Sequence, residues 1–121
     1  MKILLVDDDS FLRDMYATKF AEAGHTVMTA QSGAEALVEY ESNGPFEVVL
    51  MDMVMPGLSG IDLINELKAD KKAKAPKCIV LSNQGEQSDI DSAMEAGAIG
   101  YIVKAESIPS EVVDKVIELA K

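Results

Sequence analysis

Five short apolar runs alternate with five amphipathic stretches along this chain of 121 residues, and this alternation restricts the fold more than any other feature. The apolar runs cover residues 3–6, 25–30, 77–81 and 97–103, together with a run that begins at residue 46 and carries Asp52 at its carboxyl end. Repeated strand–helix alternation indicates a parallel sheet between two layers of helices. Because crossovers between parallel strands are right-handed, we predict an α/β fold of the flavodoxin-like, doubly wound (βα)5 type. Its five-stranded parallel sheet has strand order 2-1-3-4-5 with helices on both faces.

Length and composition indicate one compact domain over residues 1–121. Eleven basic and twenty-one acidic side chains leave a formal charge of −10, which would repel the phosphates of nucleic acids and anionic lipids. The single cysteine, Cys78, lies in an apolar run, excludes an internal disulfide and is typical of a reducing compartment. The apolar segment after Lys2 is too short for a signal peptide or a membrane span. We therefore expect a cytoplasmic protein that binds neither nucleic acid nor membrane directly, with Cys78 as a buried structural thiol.

Helix boundaries are marked by three serine–acid pairs with the spacing of a capping box. These pairs are Ser32 with Glu35, Ser59 with Asp62 and Ser88 with Asp91. Gly24 is placed to end the first helix, and Pro109 fits the first turn of the last one. Residues 68–77 hold five lysines and one aspartate, which predicts a solvated helix end and loop. The only histidine, His25, lies at a predicted turn and is interpreted as a solvated imidazole.

Acidic side chains follow two strands that the predicted topology makes neighbours. The first strand ends at Asp7 and Asp8, and the third ends at Asp52. Open α/β sheets bind ligands outside the carboxyl ends of their strands, at the switch point that separates strands one and three in this order. An ionised aspartate leaving an apolar strand is costly unless it is solvated, paired or engaged in chemistry. We therefore predict that these three carboxylates meet in a functional site.

Crowded carboxylates favour a bound cation. Two of them about 4 Å apart repel by roughly 4 kcal/mol at an effective dielectric constant of 20. Oxygen ligands without a nearby histidine or cysteine select a hard ion, so we predict Mg²⁺, with Mn²⁺ as an alternative. Capping of the first helix would explain one or two of the acids at residues 7–9, but it leaves the distant Asp52 unexplained.

Two further side chains end strands at the same predicted rim, Ser82 after the fourth strand and Lys104 after the fifth. A carboxylate nucleophile, a divalent metal, a hydroxyl donor and an ammonium group are the components of phosphoryl transfer to an aspartate. The ammonium and the metal would neutralise charge on the transferred group, which is the main source of catalysis in such reactions. The pattern therefore indicates covalent phosphorylation of Asp52.

These motifs resemble the receiver domains of two-component response regulators, over the whole chain and as a single-domain type. The matching segments are Val6-Asp7-Asp8, Met51-Asp52 followed by Met55-Pro56-Gly57, Leu81-Ser82, and Gly100-Tyr101-Ile102-Val103-Lys104. The resemblance implies that Asp52 accepts a phosphoryl group from the phosphohistidine of a sensor kinase or a histidine phosphotransfer protein. It implies that Mg²⁺ is held by Asp7, Asp8, Asp52 and the backbone carbonyl of Val54. Ser82 and Lys104 would contact the phosphoryl oxygens.

The resemblance also implies a signalling role and not an enzyme with a separate substrate, because such a domain assists only its own phosphorylation and dephosphorylation. Tyr101 would be the aromatic switch that changes rotamer as Ser82 is drawn inward. A downstream protein would then bind the face formed by the fourth helix, fifth strand and fifth helix. The residues two beyond Asp52 and two beyond Ser82, here Val54 and Gln84, would tune the lifetime of the phosphoryl group.

Two positions depart from the family pattern. The family usually has a proline with a cis bond after the lysine, whereas Ala105 follows Lys104 here. A cis bond without proline costs about 3–4 kcal/mol, which favours a trans bond and a different placement of Lys104. Asn83 stands where the family prefers alanine or glycine, which would alter the space available to Tyr101.

Three alternative functions are disfavoured by the same residues. A degenerate receiver that acts as a phosphorylation-independent binding module is disfavoured because all five reactive side chains are present. Haloacid-dehalogenase-like enzymes place a second aspartate two residues after the nucleophile, where this chain has Val54. A flavin-binding flavodoxin-like protein needs a phosphate-binding loop after the first strand, where the acids at residues 7–9 would repel a phosphate.

Overall fold

A computed structural model of this protein describes residues 1–70 and 75–121. The strands are β1 (Lys2–Val6), β2 (Thr26–Ala30), β3 (Val48–Met51), β4 (Lys77–Ser82) and β5 (Gly100–Val103). The helices are α1 (Ser10–Glu22), α2 (Gly33–Asn43), α3 (Gly60–Ala69), α4 (Gln87–Ala96) and α5 (Pro109–Ala120), and a short 3₁₀ helix covers Lys104–Glu106. No helix among the described residues is long and apolar enough to span a bilayer.

The five strands form one parallel sheet in the order β2-β1-β3-β4-β5, which confirms the predicted fold class. β1 and β3 are paired so that Val6 lies opposite Met51. The residues that follow each strand therefore leave the sheet at the same level. The amide of Asp52 donates to the carbonyl of Val6 at 3.2 Å, and this bond continues the ladder by one step beyond the strands. The register thus places Asp7 and Asp52 side by side at the ends of adjacent strands.

The core consists of two apolar clusters, one on each face of the sheet. On one face α2, α3 and α4 pack through side chains that include Tyr40, Leu63 and Ile64. On the other face α1 and α5 pack through Phe20 and Val116, among others. All four residues of β3 are buried, as expected for a central strand covered on both sides. The buried centre of the sheet thereby supports the rim where its strands end.

Helix capping follows the sequence prediction at two sites and departs from it at a third. Ser59 and Asp62 form the complete reciprocal box, whereas Ser32 accepts from the amide of Glu35. The predicted cap at Ser88 is wrong, because α4 begins at Gln87 and its N-cap, Glu86, lies two residues before Ser88 and makes no side-chain cap bond. The acid of this predicted box, Asp91, instead accepts a 2.8 Å hydrogen bond from Gln87, one turn earlier in the helix.

Other local predictions have mixed outcomes. Gly24 follows Ala23, the C-cap of α1, and has φ of 92°, and Pro109 is the first residue of α5. His25 is half-buried rather than solvated: its Nδ1 lies 3.0 Å from the N-terminal amine, and its ring packs edge-on against Phe20. In the lysine-rich stretch the helix ends at residue 69 and β4 begins at residue 77, while residues 71–74 lie outside the described part of the chain.

Candidate functional site

Four strand ends bring the predicted side chains together at one rim of the sheet. Asp7, Asp52 and Lys104 directly follow β1, β3 and β5, and Ser82 is the last residue of β4. Within the described ranges, the buried polar or charged residues are Asp7, Ser82 and Lys104. Burial of polar groups is costly unless each is paired. Hydrogen bonds join these three residues into one cluster around the partly exposed Asp52.

Lys104 connects the two buried strand ends through its ammonium group. Its Nζ lies 2.7 Å from Asp7 Oδ2 and 2.9 Å from Asp52 Oδ2. Burial alone would lower the pKa of Lys104, but the hydrogen bonds to the two carboxylates outweigh it, and the pKa is raised above its ordinary value. Lys104 therefore remains a cation throughout the physiological range and compensates part of the negative charge of the site.

The peptide bond after Lys104 is trans, as expected where alanine replaces proline. Among the described residues the cis bond is the one between Gly44 and Pro45. After β5 the chain enters the 3₁₀ helix directly at Lys104. The sequence also predicted a different placement for Lys104, yet its ammonium group reaches both carboxylates in this backbone conformation.

Three carboxylates form the predicted acidic cluster. Asp7, Asp8 and Asp52 each offer an oxygen, and these oxygens lie within 4.8 Å of one another. Asp8 is exposed and Asp52 is partly exposed, so water could complete the coordination of an ion bound to them. An all-oxygen donor set with access to water is what Mg²⁺ prefers. The cluster is therefore compatible with Mg²⁺.

Asp9 plays a different part from its acidic neighbours. Its carboxylate accepts a 3.0 Å hydrogen bond from the amide of Leu12 and thereby caps α1. Its own amide donates to Asp7 Oδ1 at 2.9 Å, which helps to orient that carboxylate. Capping thus accounts for one of the three consecutive acids, and the other two join the cluster with Asp52.

A chain of hydrogen bonds leads from Asp52 to Tyr101. The Ser82 hydroxyl donates to Asp52 Oδ1 at 2.9 Å and accepts from the amide of Gln84 at 3.2 Å. The carbonyl of Gln84 in turn accepts a hydrogen bond from the Tyr101 hydroxyl. Burial raises the pKa of Tyr101 while the hydroxyl of Ser82 opposes this shift, so the phenol remains a donor at neutral pH. The main chain of Gln84 therefore joins the two predicted switch residues.

The loop after β3 places Val54 at the edge of the site. Its amide donates to Asp52 Oδ1 at 3.3 Å, and its side chain is 60% exposed. Asn83 is also exposed, at the start of the loop that follows β4. Both side chains therefore border the site from the solvent side.

Sequence reasoning missed two residues that shape this site. Arg13 donates from Nη1 to the carbonyl of Asp7 at 2.9 Å and so fixes the loop that carries the acids. A cation in the first turn of a helix is disfavoured by the helix dipole, and this would have indicated that Arg13 has another partner. Gly60 allows the start of α3 to approach Asp52, because a Cβ there would lie 2.4 Å from the Asp52 carbonyl oxygen.

A cavity of about 450 Å³ lies away from these residues. It is lined by residues such as Lys2, Phe46 and Lys77, at the amino ends of the strands. In a parallel sheet the amino ends and the carboxyl ends lie on opposite rims. The acidic cluster lies instead on the carboxyl rim, where Asp8 is exposed and Asp52 is partly exposed.

Comparisons with known proteins agree with this geometry. The family model of the response regulator receiver domain matches residues 3–116. The chemotaxis protein CheY of Thermotoga maritima is 38% identical over 122 residues, which cover 99% of this chain and 98% of that protein.

Solved structures show the same likeness. The chemotaxis response regulator CheY4 of Vibrio cholerae has a TM-score of 0.87 at 27% identity, covering 99% of this chain and 98% of that one. The response regulator TrrA of Thermotoga maritima, solved in complex with Mg²⁺-BeF, has a TM-score of 0.81 at 35% identity and covers 98% and 97% of the two chains. The fold, the four strand ends and the family match lead to one conclusion: this chain belongs to the response regulator receiver domains and is CheY-like.

Proposed function

We propose that this chain is the phosphoacceptor switch of a two-component phosphorelay, with Asp52 as the phosphorylated residue. The observation that carries the proposal is the convergence of donors on the Asp52 carboxylate. Ser82 and the Val54 amide donate to its Oδ1, and Lys104 donates to its Oδ2. Asp52 is also the most accessible member of the buried group formed with Asp7, Ser82 and Lys104, since 13% of its side chain is exposed.

In the proposed reaction, a carboxylate oxygen of Asp52 forms a bond to phosphorus while the bond from phosphorus to the histidine nitrogen of the donor breaks. The nitrogen keeps the electron pair and takes a proton from water, so that the donor histidine leaves as neutral imidazole. Ser82 and Lys104 then donate to the phosphoryl oxygens in place of Asp52. Because both already point at this carboxylate, little reorganisation is needed when the new charge arrives.

We assign the metal site to Asp7, Asp8 and Asp52 with the backbone carbonyl of Val54, for Mg²⁺ or Mn²⁺. The Mg²⁺-BeF complex of the Thermotoga maritima relative supports this assignment. A divalent ion bound there would supply positive charge to the oxygens of the transferred group. Asp8 has no other role in the described structure, whereas Asp7 also holds Lys104.

The output step runs through Tyr101. Phosphorylation gives Ser82 a charged acceptor and draws it towards the phosphoryl group. Since Ser82 is bonded to the amide of Gln84, and Gln84 to Tyr101, the residues 83–87 and the Tyr101 ring would shift with it. A downstream protein would recognise the result on the face formed by α4, β5 and α5.

The donor is a sensor histidine kinase or a histidine phosphotransfer protein. We place the chain in the reducing cytoplasm, which suits its unpaired Cys78.

The test is the intact mass of the protein after incubation with a small phosphodonor and Mg²⁺. We expect a gain of one phosphoryl group that is absent in Asp52→Asn. The matched control is Asp9→Asn, which makes the same chemical change in the helix cap and should still be phosphorylated. If the wild type gains no mass, the proposal is wrong and the phosphorylation-independent binding module becomes the better interpretation.

A further inference from the structure

The face formed by α4, β5 and α5 exposes large apolar side chains. We call the exposed side chains of these three elements and of the segments that join them the output face. Met94 on α4 is 44% exposed and Ile99, just before β5, is 37% exposed. Ile99 lies two residues before the half-buried Tyr101 of the edge strand β5, and α4 packs against this strand. Exposed apolar side chains beside a residue tied to the functional site are typical of a contact surface.

The same face is strongly acidic. Residues 86–121 contain eight acidic side chains, none of them buried. They are Glu86, Asp89, Asp91, Glu95, Glu106, Glu111, Asp114 and Glu118. Lys104 is buried in the site, so the cations of this surface are Lys115 and Lys121. Lys121 lies 3.0 Å from Glu118, and Lys115 donates to Ser107, so both are already engaged.

This charge excludes several occupants of the output face. Nucleic acids and anionic lipids would be repelled, as would an acidic peptide. A second copy of this chain, bound symmetrically through the same face, would bring identical acids into contact. Juxtaposed like charges disfavour such an interface strongly.

Resting on the proposed function, we infer that the output face binds a cationic, amphipathic protein segment. Its apolar side chains would cover Met94 and Ile99, and its lysines or arginines would pair with surrounding acids such as Asp91 and Glu95. Charge complementarity of this kind increases association rates and excludes wrong partners more than it increases affinity. Coupling to Asp52 passes through the Gln84 link to Tyr101, so phosphorylation would change how well the segment fits.

The experiment compares two synthetic helical peptides with identical leucine positions, one with lysines and the other with glutamates at the polar positions. Each is titrated into the isotope-labelled full chain, and the perturbed backbone amides are mapped by NMR. We expect the lysine peptide to perturb α4 and β5, with an affinity that falls as salt is added. Asp91→Lys combined with Glu95→Lys should weaken binding of the lysine peptide about tenfold, because each of the two reversed charges lowers the affinity. The matched control is Glu41→Lys combined with Glu66→Lys, at exposed positions beside the crevice between α2 and α3.

The inference is overturned if the glutamate peptide binds as well, if the lysine peptide maps elsewhere, or if the control variant weakens binding equally. Intact mass after phosphodonor treatment is measured on the same samples. A chain that gains a phosphoryl group but does not prefer the lysine peptide refutes this inference and leaves the proposed function standing. A chain that prefers the lysine peptide but gains no mass refutes the proposed function alone.

Discussion

Replacing Lys104 by methionine removes the ammonium group that bridges Asp7 and Asp52 and keeps a side chain of similar length. The two ion pairs, at 2.7 and 2.9 Å, would each be worth roughly 6 kcal/mol at an effective dielectric constant of 20, before desolvation is subtracted. Removing one partner of a buried pair typically costs about 3–5 kcal/mol, because the remaining charge stays buried. Asp7 is fully buried but Asp52 is partly solvated, so we expect Lys104→Met to lower the free energy of unfolding by about 3 kcal/mol without divalent ions.

Magnesium should partly rescue this variant. Lys104 and a divalent ion neutralise the same carboxylates, so Mg²⁺ should stabilise Lys104→Met more than it stabilises the wild type. For reference, a ligand at 100 times its dissociation constant adds about 2.7 kcal/mol to the free energy of unfolding. The assay is urea denaturation of both proteins with a chelator and with millimolar Mg²⁺. Lys115→Met, which removes an exposed lysine, serves as the control and should change stability by less than about 0.5 kcal/mol.

The pH dependence of this contribution has a defined sign. The folded-state pKa of Lys104 is raised above its unfolded value, so its stabilisation is complete below the unfolded pKa. It is lost only as the pH rises through the folded value, far above neutrality. The reasoning is refuted if Lys104→Met is as stable as the wild type in chelator, or if Mg²⁺ stabilises the two proteins by the same increment.

Three further predictions concern the metal, the thiol and the lifetime of the phosphoryl group. Mg²⁺ should raise the melting temperature of the wild type, and Asp8→Asn should reduce this shift more than Asp9→Asn; equal melting temperatures with and without millimolar Mg²⁺ would exclude the metal site. Burial raises the pKa of Cys78 to about 11, so the folded state holds the thiol proton more tightly than the unfolded state does. The stability that this contributes to the folded state is lost as the pH rises from about 9 to 11. Over this range the free energy of unfolding of the wild type, measured by urea denaturation, should fall by about 3 kcal/mol more than that of Cys78→Ala. An equal dependence on pH in the two proteins would contradict a buried thiol of this pKa. Val54 offers no side-chain hydrogen bond to an attacking water, so Val54→Asn should accelerate decay of the phosphorylated protein after the donor is removed; an unchanged or slower decay would show that Val54 does not shield the phosphoryl group.

The position of the site could be predicted from the sequence because a parallel sheet brings residues that are distant in sequence together at the ends of adjacent strands. Asp7 and Asp52 are far apart in sequence, but each directly follows a buried strand, and adjacent strands in this topology end at one rim. The same reasoning placed Ser82 and Lys104. These predictions needed only the strand ends, which apolar patterning marks, and the strand order, which follows from right-handed crossovers between parallel strands.

The features that the sequence did not predict depend on where individual backbone groups point. Arg13 binds a carbonyl oxygen, and the link between Ser82 and Tyr101 runs through the amide and carbonyl of Gln84. A residue type does not encode the direction of its backbone carbonyl. The start of α4 was misassigned for a related reason, since Ser88 and Asp91 have capping spacing but Asp91 binds Gln87 inside the helix.

The backbone link at residue 84 has a consequence for how such a switch can be adjusted. Both hydrogen bonds of the link use main-chain atoms, so a substitution of the Gln84 side chain would leave the connection between Ser82 and Tyr101 intact. That side chain is exposed next to the site and is free to affect the approach of water. In the proposed function, the lifetime of the phosphoryl group and its effect on Tyr101 would therefore depend on different parts of one residue. A chain built in this way could be given faster or slower dephosphorylation without a change in the hydrogen bonds that connect Ser82 to Tyr101.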